Sequence, residues 1–318
     1  MINQLDTILI TGADGFIGKH LYNFLQLKGY ERIYRLVRNS HENIEALDSK
    51  KIIVGDICNK IEVDEVIYQV QPNVVFHLAA NIEPTRNLKD LDEMLRTNIG
   101  GTMNLLTSIK LHNIPLNCFV NLGTCEEYGG NEQPYHESLI PSPVSLYSGT
   151  KAATTMLCNM MVNLFNIPIV TVRPSLVYGP GQKERFFITQ AIKKLIANED
   201  LDMTYGQQTR DFIYIDDFVA GLYTICKLKN VTGEVFNISS GVETSLLSVV
   251  EILKRLTASN SSINFGAIPY RESEIMSFNC DNSKLIKQSD WEPKISLVEG
   301  LSRVVNNYKS NIKHEKIS

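Results

Sequence analysis

The sequence predicts an α/β fold: a doubly wound parallel sheet through the first half, then a smaller C-terminal α/β lobe. Two observations carry that prediction. Short β-branched runs alternate with amphipathic segments of helical period up to Pro174, and the runs are apolar throughout, as strands covered by helices on both faces must be. Past Pro174 the rhythm loosens into shorter elements and more turns, such as YGPGQ, TYGQQ and SSG.

In chain order, TILIT (7–11) is the first strand and runs into a helical segment, FIGKHLYNFLQLKG (16–29). RIYRLV (32–37), KIIVGD (51–56) and NVVFHLAA (73–80) are the next three strands. LDEMLRTNIGGTMNLLTSIKLH (91–112) has helical period, and NCFVNLG (117–123) follows as a strand. KAATTMLCNMMVNLF (151–165) is a helix apolar on more than one face, and IPIVTVRP (167–174) closes the series. Residues 1–174, with a returning segment near 207–240, form the expected dinucleotide domain, and 175–206 with 241–308 form the second lobe. The polar stretch 309–318 is expected to fray.

Composition narrows the function classes. A chain of 318 residues with 43% hydrophobic and 21% charged residues can bury a sizeable core. Its net charge of −4 gives no global field for nucleic acid or an anionic membrane, so phosphate binding must be local. No apolar run approaches the roughly 20 residues of a membrane span, and the N-terminus enters a strand without a leader-like pattern. Cys58, Cys118, Cys125, Cys158, Cys226 and Cys280 form no CxxC pair and have no histidine at ligand spacing. They read as reduced thiols of a cytoplasmic protein without a metal site.

Gly12, Gly15 and Gly18 lie between the first strand and the first helix, in the form GxxGxxG. Glycines there permit a tight turn and close backbone approach to a pyrophosphate, which sits at the helix N-terminus beside Phe16 and Ile17. The end of the second strand discriminates between cofactors. NAD sites usually offer an acid to the ribose 2′-hydroxyl, whereas NADP needs cations for its 2′-phosphate. RLVRNS has no acid and makes Arg35, Arg38, Asn39 and Ser40 available. Arg38, with Asn39 beside it, is the candidate for the 2′-phosphate, because a guanidinium forks onto phosphate oxygens. Asp56, followed by Ile57, stands after the third strand where it can accept from an adenine amino group.

SLYSGTK places Tyr147 and Lys151 one helical turn apart on one face. An ammonium there favours the phenolate and would lower a phenol pKa that is about 10 in a free peptide. A phenol tuned in this way can pass a proton to or from an alcohol or sugar oxygen.

TGADGFIG, VGDI, HLAA, GTCEEYG, YSGTK, RPSLVYGPGQ, TRDFIYIDD and YRESEI occur in one order over about residues 6–308. In that order the chain resembles the extended short-chain dehydrogenase/reductases that act on nucleotide-diphosphate sugars, the NAD-dependent epimerase/dehydratase family. The resemblance implies a Rossmann-type sheet carrying NADP(H) and a C-terminal lobe closing over a nucleotide-diphosphate sugar. It makes Tyr147 the proton donor or acceptor, Lys151 the group that tunes it and holds the nicotinamide ribose, and Thr124 the hydroxyl bonded to the reacting oxygen. Leu78, Ala79, Ala80 and Pro174 fall where the family's backbone passes the cofactor. Arg210 and Arg271 match arginines near the nucleotide and diphosphate. The resemblance also implies a homodimer through the helices near 91–112 and 151–165. One departure is Leu176, where many relatives carry Asn.

Glu126 decides between reactions. TCEEYG fits the Thr-x-Glu-x-Tyr-Gly pattern of 4,6-dehydratases, in which that glutamate removes the C5 proton. Glucose-type dehydratases place Asp before it, and this chain has Cys125. An NADP site, the EEYG form and Leu176 favour instead a reductase of a nucleotide-bound 4-keto-deoxyhexose, similar to CDP-paratose and CDP-abequose synthases and GDP-4-keto-6-deoxymannose reductases. Such enzymes make deoxysugars for surface polysaccharide. A dehydratase, a 4-epimerase and an NADP-sensing regulator remain as alternatives. The regulator is the weakest, because such proteins usually lose the Tyr or the Lys.

Overall fold

The computed structural model describes residues 2–38, 51–83, 85, 87–271 and 274–315. Its first half contains β1 (Ile8–Thr11), α1 (Phe16–Leu27), β2 (Ile33–Val37), β3 (Ile52–Val54), α2 (Lys60–Val70) and β4 (Val74–His77). Then come α3 (Leu91–Leu95), α4 (Gly101–Leu111), β5 (Cys118–Leu122), α5 (Leu146–Phe165) and β6 (Ile169–Pro174). The second half holds β7 (Leu176–Tyr178), α6 (Phe187–Ala197), β8 (Leu201–Met203), β9 (Thr209–Tyr214), α7 (Ile215–Lys227) and β10 (Val235–Ile238). It ends with β11 (Glu243–Ser245), α8 (Leu246–Thr257), β12 (Ile263–Phe265), α9 (Ser283–Gln288) and α10 (Leu297–Glu315).

Seven strands form one parallel sheet in the order β10-β6-β5-β4-β1-β2-β3. The order reverses beside β1, which is the switch point of a Rossmann-type sheet. Alternation along the strands feeds two cores. Ile8, Ile10, Phe76, Val120 and Val172 face the side covered by α1 and α7, while Leu9, Val75, Phe119 and Ile169 face α2, α4 and α5. Both faces are buried, and this is why these strands read as continuous apolar runs.

β10 is one edge of this sheet, and side chains occupy its outward backbone groups. The Asn237 amide donates to Glu137 Oε1 at 2.9 Å, and Lys284 Nζ donates to the Val235 carbonyl at 2.6 Å. The second half adds a three-stranded sheet, β11-β9-β7, and a parallel pair, β12-β8.

Three expectations need correction. β9 lies in the segment expected to return to the large sheet, yet it pairs with β7 and β11; the return is made by α7 and β10. The periodic stretch 91–112 is helical throughout but not a regular α-helix, because a π-helical turn, Arg96–Gly100, joins α3 to α4. Of the segment expected to fray, Lys309–Glu315 is helical, the last turns of α10, and residues 316–318 lie outside the described residues. Leu301, Val304 and Val305 anchor that helix in the core, and Lys309 Nζ reaches the Leu256 carbonyl at 3.4 Å. A polar sequence hid a helix held by its upstream apolar stripe.

Candidate active site

β1 delivers the chain into a tight turn at Gly12, whose φ of +65° suits glycine. A Cβ on Gly12 would lie 2.8 Å from the Ala79 backbone nitrogen, and one on Gly18 would lie 2.3 Å from the Gly12 carbonyl oxygen. The turn, the loop after β4 and the start of α1 therefore pack backbone to backbone. No side chain caps α1 at Gly15, so its first-turn N–H groups can serve an anion. This cradle fits the pyrophosphate of a dinucleotide. Phe16 stacks edge-on against His20 at 5.4 Å, and His20 Nε2 bonds the Pro180 carbonyl at 2.9 Å, which docks the loop after β7 beside the turn.

Around this cradle the structure sorts the other predicted residues. Arg38 stands exposed one position beyond β2, while Asn39 and Ser40 lie outside the described residues. Arg35 is not available at the strand end: it is buried and stacked on the Tyr22 ring at 4.2 Å. Asp56 follows β3 and accepts from the Cys58 amide at 2.9 Å, and the Ile57 carbonyl accepts from Asn104 at 2.9 Å. Leu78, Ala79 and Ala80 follow β4, with the Ala79 amide donating to Thr11 Oγ1 at 3.2 Å. Ile17 is half-buried against the core, and Pro174 ends β6 opposite Ile238.

α5 begins where Ser145 accepts from the Ser148 amide at 3.0 Å in a capping box. That cap sets Tyr147 in the first turn and Lys151 in the next. Across from them, Thr124 caps a 3₁₀ turn, Cys125–Glu127, accepting from the Glu126 amide at 3.2 Å. The Thr124 hydroxyl also hydrogen-bonds the Tyr147 phenol. Thr124, Tyr147, Lys151 and Glu126 therefore come together at the C-terminal ends of the strands.

The electrostatics differ from the expectation that Lys151 lowers the phenol. Burial pushes the Tyr147 phenol well up, and the Glu126 and Glu127 carboxylates push it further, with the Thr124 bond opposing. Burial pushes Lys151 down to about 8, against the opposing pull of Glu127. Burial also raises the Glu126 carboxyl, partly offset by Arg210 and Arg271. In this chain desolvation and the two carboxylates both favour the protonated phenol.

Glu127, next to Glu126 on the same turn, is fully buried. Its Oε1 accepts from the Thr124 amide at 3.0 Å. Its Oε2 accepts from Arg173 Nη2 at 2.7 Å, Arg173 Nε at 2.9 Å and Thr155 Oγ1 at 3.0 Å. Cys125 is buried beside it, with Sγ donating to the Arg173 carbonyl at 3.3 Å.

Arg210 and Arg271 lie near enough to Glu126 for their charge to act on it. Arg210 is ion-paired with Glu274 and also donates to the Ile275 carbonyl at 2.7 Å; Arg271 is exposed. Next to Arg210, buried Asp211 accepts from Ser175 Oγ at 3.1 Å, Ser240 N at 2.9 Å and Gly241 N at 3.0 Å. It thereby clamps β9 to the ends of β6 and β10. Leu176 is half-buried against the apolar cluster of Cys125, Tyr128, Tyr135 and Phe278.

A family model described as the NAD dependent epimerase/dehydratase family matches residues 8–239. This chain belongs to that family. It is 30% identical to a UDP-glucuronate 4-epimerase of Thermodesulfobacterium geofontis, over 96% of each chain. It is 25% identical to a GDP-6-deoxy-D-mannose reductase of Pseudomonas aeruginosa, over 97% of this chain and 99% of that one. Among solved structures, a UDP-glucuronic acid 4-epimerase from Bacillus cereus, in complex with UDP-glucuronic acid and NAD, superposes with a TM-score of 0.87. The two chains are 30% identical, with 96% of this one and 99% of that one covered.

In this member of the epimerase/dehydratase family, motif reading missed an internal scaffold behind Tyr147. Asn98, on the π-helical turn, donates to Thr150 Oγ1 at 2.9 Å and to the Asn81 carbonyl at 3.0 Å, and Thr150 donates to the Tyr147 carbonyl at 2.8 Å. His77 bridges Thr11 at 2.8 Å and Thr102 at 2.9 Å. Thr102 donates to the Asn98 carbonyl and Thr11 accepts from Ala79, so the network assigns the imidazole proton to Nε2. Burial, then the Lys151 charge, pushes His77 down to about 3, which keeps it neutral. The available signal was a polar Asn followed by two glycines inside a helical run.

Proposed function

We propose that this chain is an NADP(H)-dependent reductase that converts the C4 keto group of a nucleotide-diphosphate-linked deoxyhexose to an alcohol. The observation that carries this reading is the end of β2: Arg38 is exposed there, and residues 38–40 read Arg-Asn-Ser, without a carboxylate. A cation at that place suits a 2′-phosphate, and an NADP-selective site suits an enzyme that consumes reduced cofactor. The Pseudomonas aeruginosa reductase among the relatives agrees with it.

On this reading the glycine turn and α1 hold the pyrophosphate, Arg38 the 2′-phosphate, and Lys151 the nicotinamide ribose. Bound NADPH supplies a hydride. Tyr147 holds a proton and donates it to the C4 oxygen, and the Thr124 hydroxyl orients that oxygen beside the phenol. Arg210 and Arg271 supply local positive charge for the nucleotide diphosphate despite the acidic total. Leu176 gives the sugar an apolar wall. The same reading includes a homodimer, with Met156, Met160 and Leu164 exposed along one stripe of α5.

A second reading, 4-epimerisation, is favoured by the 30% identity to a UDP-glucuronate 4-epimerase. Thr124, Tyr147 and Lys151 would then serve oxidation and re-reduction at one carbon. A glucose-type dehydratase is less well supported, because the position before Glu126 is a buried thiol and offers no acid to a C6 hydroxyl.

The test is to incubate the protein with NADPH or NADH and a panel of CDP-, GDP-, dTDP- and UDP-linked 4-ketosugars. A reductase consumes NADPH in proportion to ketosugar lost. Conversion of a saturated nucleotide sugar to its C4 epimer with no net cofactor change would establish the second reading instead.

A further inference from the structure

We propose that Glu274 is an internal competitor for the nucleotide diphosphate: its carboxylate satisfies Arg210 from within the chain, and a diphosphate takes Arg210 by displacing it. The inference rests on the reading of Arg210 as a diphosphate contact, and it makes Glu274 the residue that sets how strongly that contact can be used.

The bonds of Arg210 divide into two kinds. Nη1 donates to the carbonyls of Thr209 and Ile275, both at 2.7 Å, so both of its hydrogens are spent on backbone. These bonds fix where the guanidinium stands. Nη2 faces the Glu274 carboxylate in an ion pair. A carboxylate on the edge of a guanidinium has the charge and acceptor geometry that a phosphate also presents to arginine. This is therefore the contact for which a diphosphate can exchange. The paired side chains are only 16% and 14% exposed, so the pair is not the freely solvated kind that contributes almost nothing.

The segment that carries Glu274 does not need that carboxylate to stay in place. The Glu274 amide donates to the Arg271 carbonyl at 3.0 Å, and the Met276 carbonyl accepts from the Thr209 amide at 2.8 Å. With the Ile275 carbonyl held by Arg210, three backbone bonds pin the segment, and the Glu274 side chain can leave Arg210 without unpinning it. The other charges nearby do not take its place. Asp211, next on β9, is committed to Ser175, Ser240 and Gly241. Glu126 lies within the field of Arg210 and Arg271 but makes no ion pair with either. Two guanidiniums and two carboxylates thus leave this end of the site nearly neutral. Release of Arg210 by Glu274 is what exposes a net positive charge to an incoming diphosphate.

Nucleoside diphosphate binding tests this without knowledge of the sugar. Wild type, Glu274→Gln, Arg210→Gln and the double variant are titrated with UDP, CDP, GDP and dTDP by calorimetry. NADPH or NADH is held saturating, so that the dinucleotide cradle is filled. Glutamine at 274 keeps the size and one acceptor oxygen, and glutamine at 210 keeps a donor for the Ile275 carbonyl, so each change removes mainly charge. The expected result is that Glu274→Gln binds the preferred diphosphate about tenfold more tightly than wild type, the scale of one charge-assisted bond that no longer has to be displaced. Arg210→Gln binds it more weakly, and adding Glu274→Gln to Arg210→Gln brings no gain, because no guanidinium is left to release. Unchanged or weaker binding by Glu274→Gln overturns the inference, since the carboxylate would then be a bystander or a support of the site. An equal gain with and without Arg210 overturns it too, leaving only repulsion between carboxylate and phosphate. Failure of wild type and Glu274→Gln to bind any of the four diphosphates overturns instead the functional reading beneath it, so the two failures are distinct.

Discussion

Two alanines in one turn should separate packing from ligand binding. At Gly18 an added Cβ would lie 2.3 Å from the Gly12 carbonyl oxygen and 2.7 Å from Ala13 Cα, both backbone atoms of a turn that is itself packed on Ala79. Nothing flexible can yield, so Gly18→Ala must open the seam between α1 and β1, with a cost of about 2–3 kcal/mol from overpacking. At roughly 2.1 cal/mol/K of unfolding entropy per residue, that lowers Tm by about 3–5 °C. At Gly15 the nearest atom to an added Cβ is the Gly12 oxygen at 3.1 Å, and the φ of −72° is ordinary for any residue. Gly15→Ala should therefore cost less than Gly18→Ala, about 0.5–1 kcal/mol, because alanine is a poorer helix N-cap than glycine. Its methyl group nevertheless stands at the α1 N-terminus, where phosphate oxygens must approach the backbone. We expect dinucleotide affinity to fall at least tenfold, about 1.4 kcal/mol. Scanning calorimetry of both variants, with NADPH titrations by fluorescence, checks the pair. A Gly15→Ala protein with wild-type affinity would refute the assignment of this turn as a phosphate cradle.

Tyr147→Phe should leave dinucleotide affinity near wild type and lower turnover by about 10²-fold or more, as for a lost general acid; near-normal single-turnover rates would remove Tyr147 from the chemistry. Arg38→Ala should weaken NADPH by roughly 1.5–3 kcal/mol, the scale of a charge-assisted bond, and leave NADH almost unchanged, which parallel titrations read directly. Glu126→Gln should slow a reductase far less than Tyr147→Phe does. Loss of all conversion, together with C5 hydrogen exchange in the wild type in deuterated water, would identify Glu126 as the base of a dehydratase.

The sheet was legible because its strands are apolar runs, with β1, β4, β5 and β6 buried on both faces, and the glycine turn because its backbone contacts exclude side chains. Tyr147 and Lys151 were legible because helical spacing alone puts them together. The scaffold behind them was not. Asn98, His77 and Asp211 bond residues distant in sequence, and so does Glu127 through Arg173 and Thr155; only its bond to the Thr124 amide lies in a readable spacing, the Thr-x-x-Glu capping box. The sign of the Tyr147 shift was misjudged for a related reason. The local i,i+4 cation is visible in the sequence, whereas desolvation and the fields of Glu126 and Glu127 arise only once the chain is folded. The β9 pairing escaped because a short strand between turns does not say which sheet it joins.

The side chains over β10 bear on how copies of this chain can meet. An open strand edge invites a second sheet to add on, in register and without limit. Here Glu137 and Lys284 occupy the amide and carbonyl that an incoming strand would need, and that partner would first have to displace both. Growth by strand addition is therefore blocked along this margin. A second copy that met this chain would have to do so on a surface other than this edge.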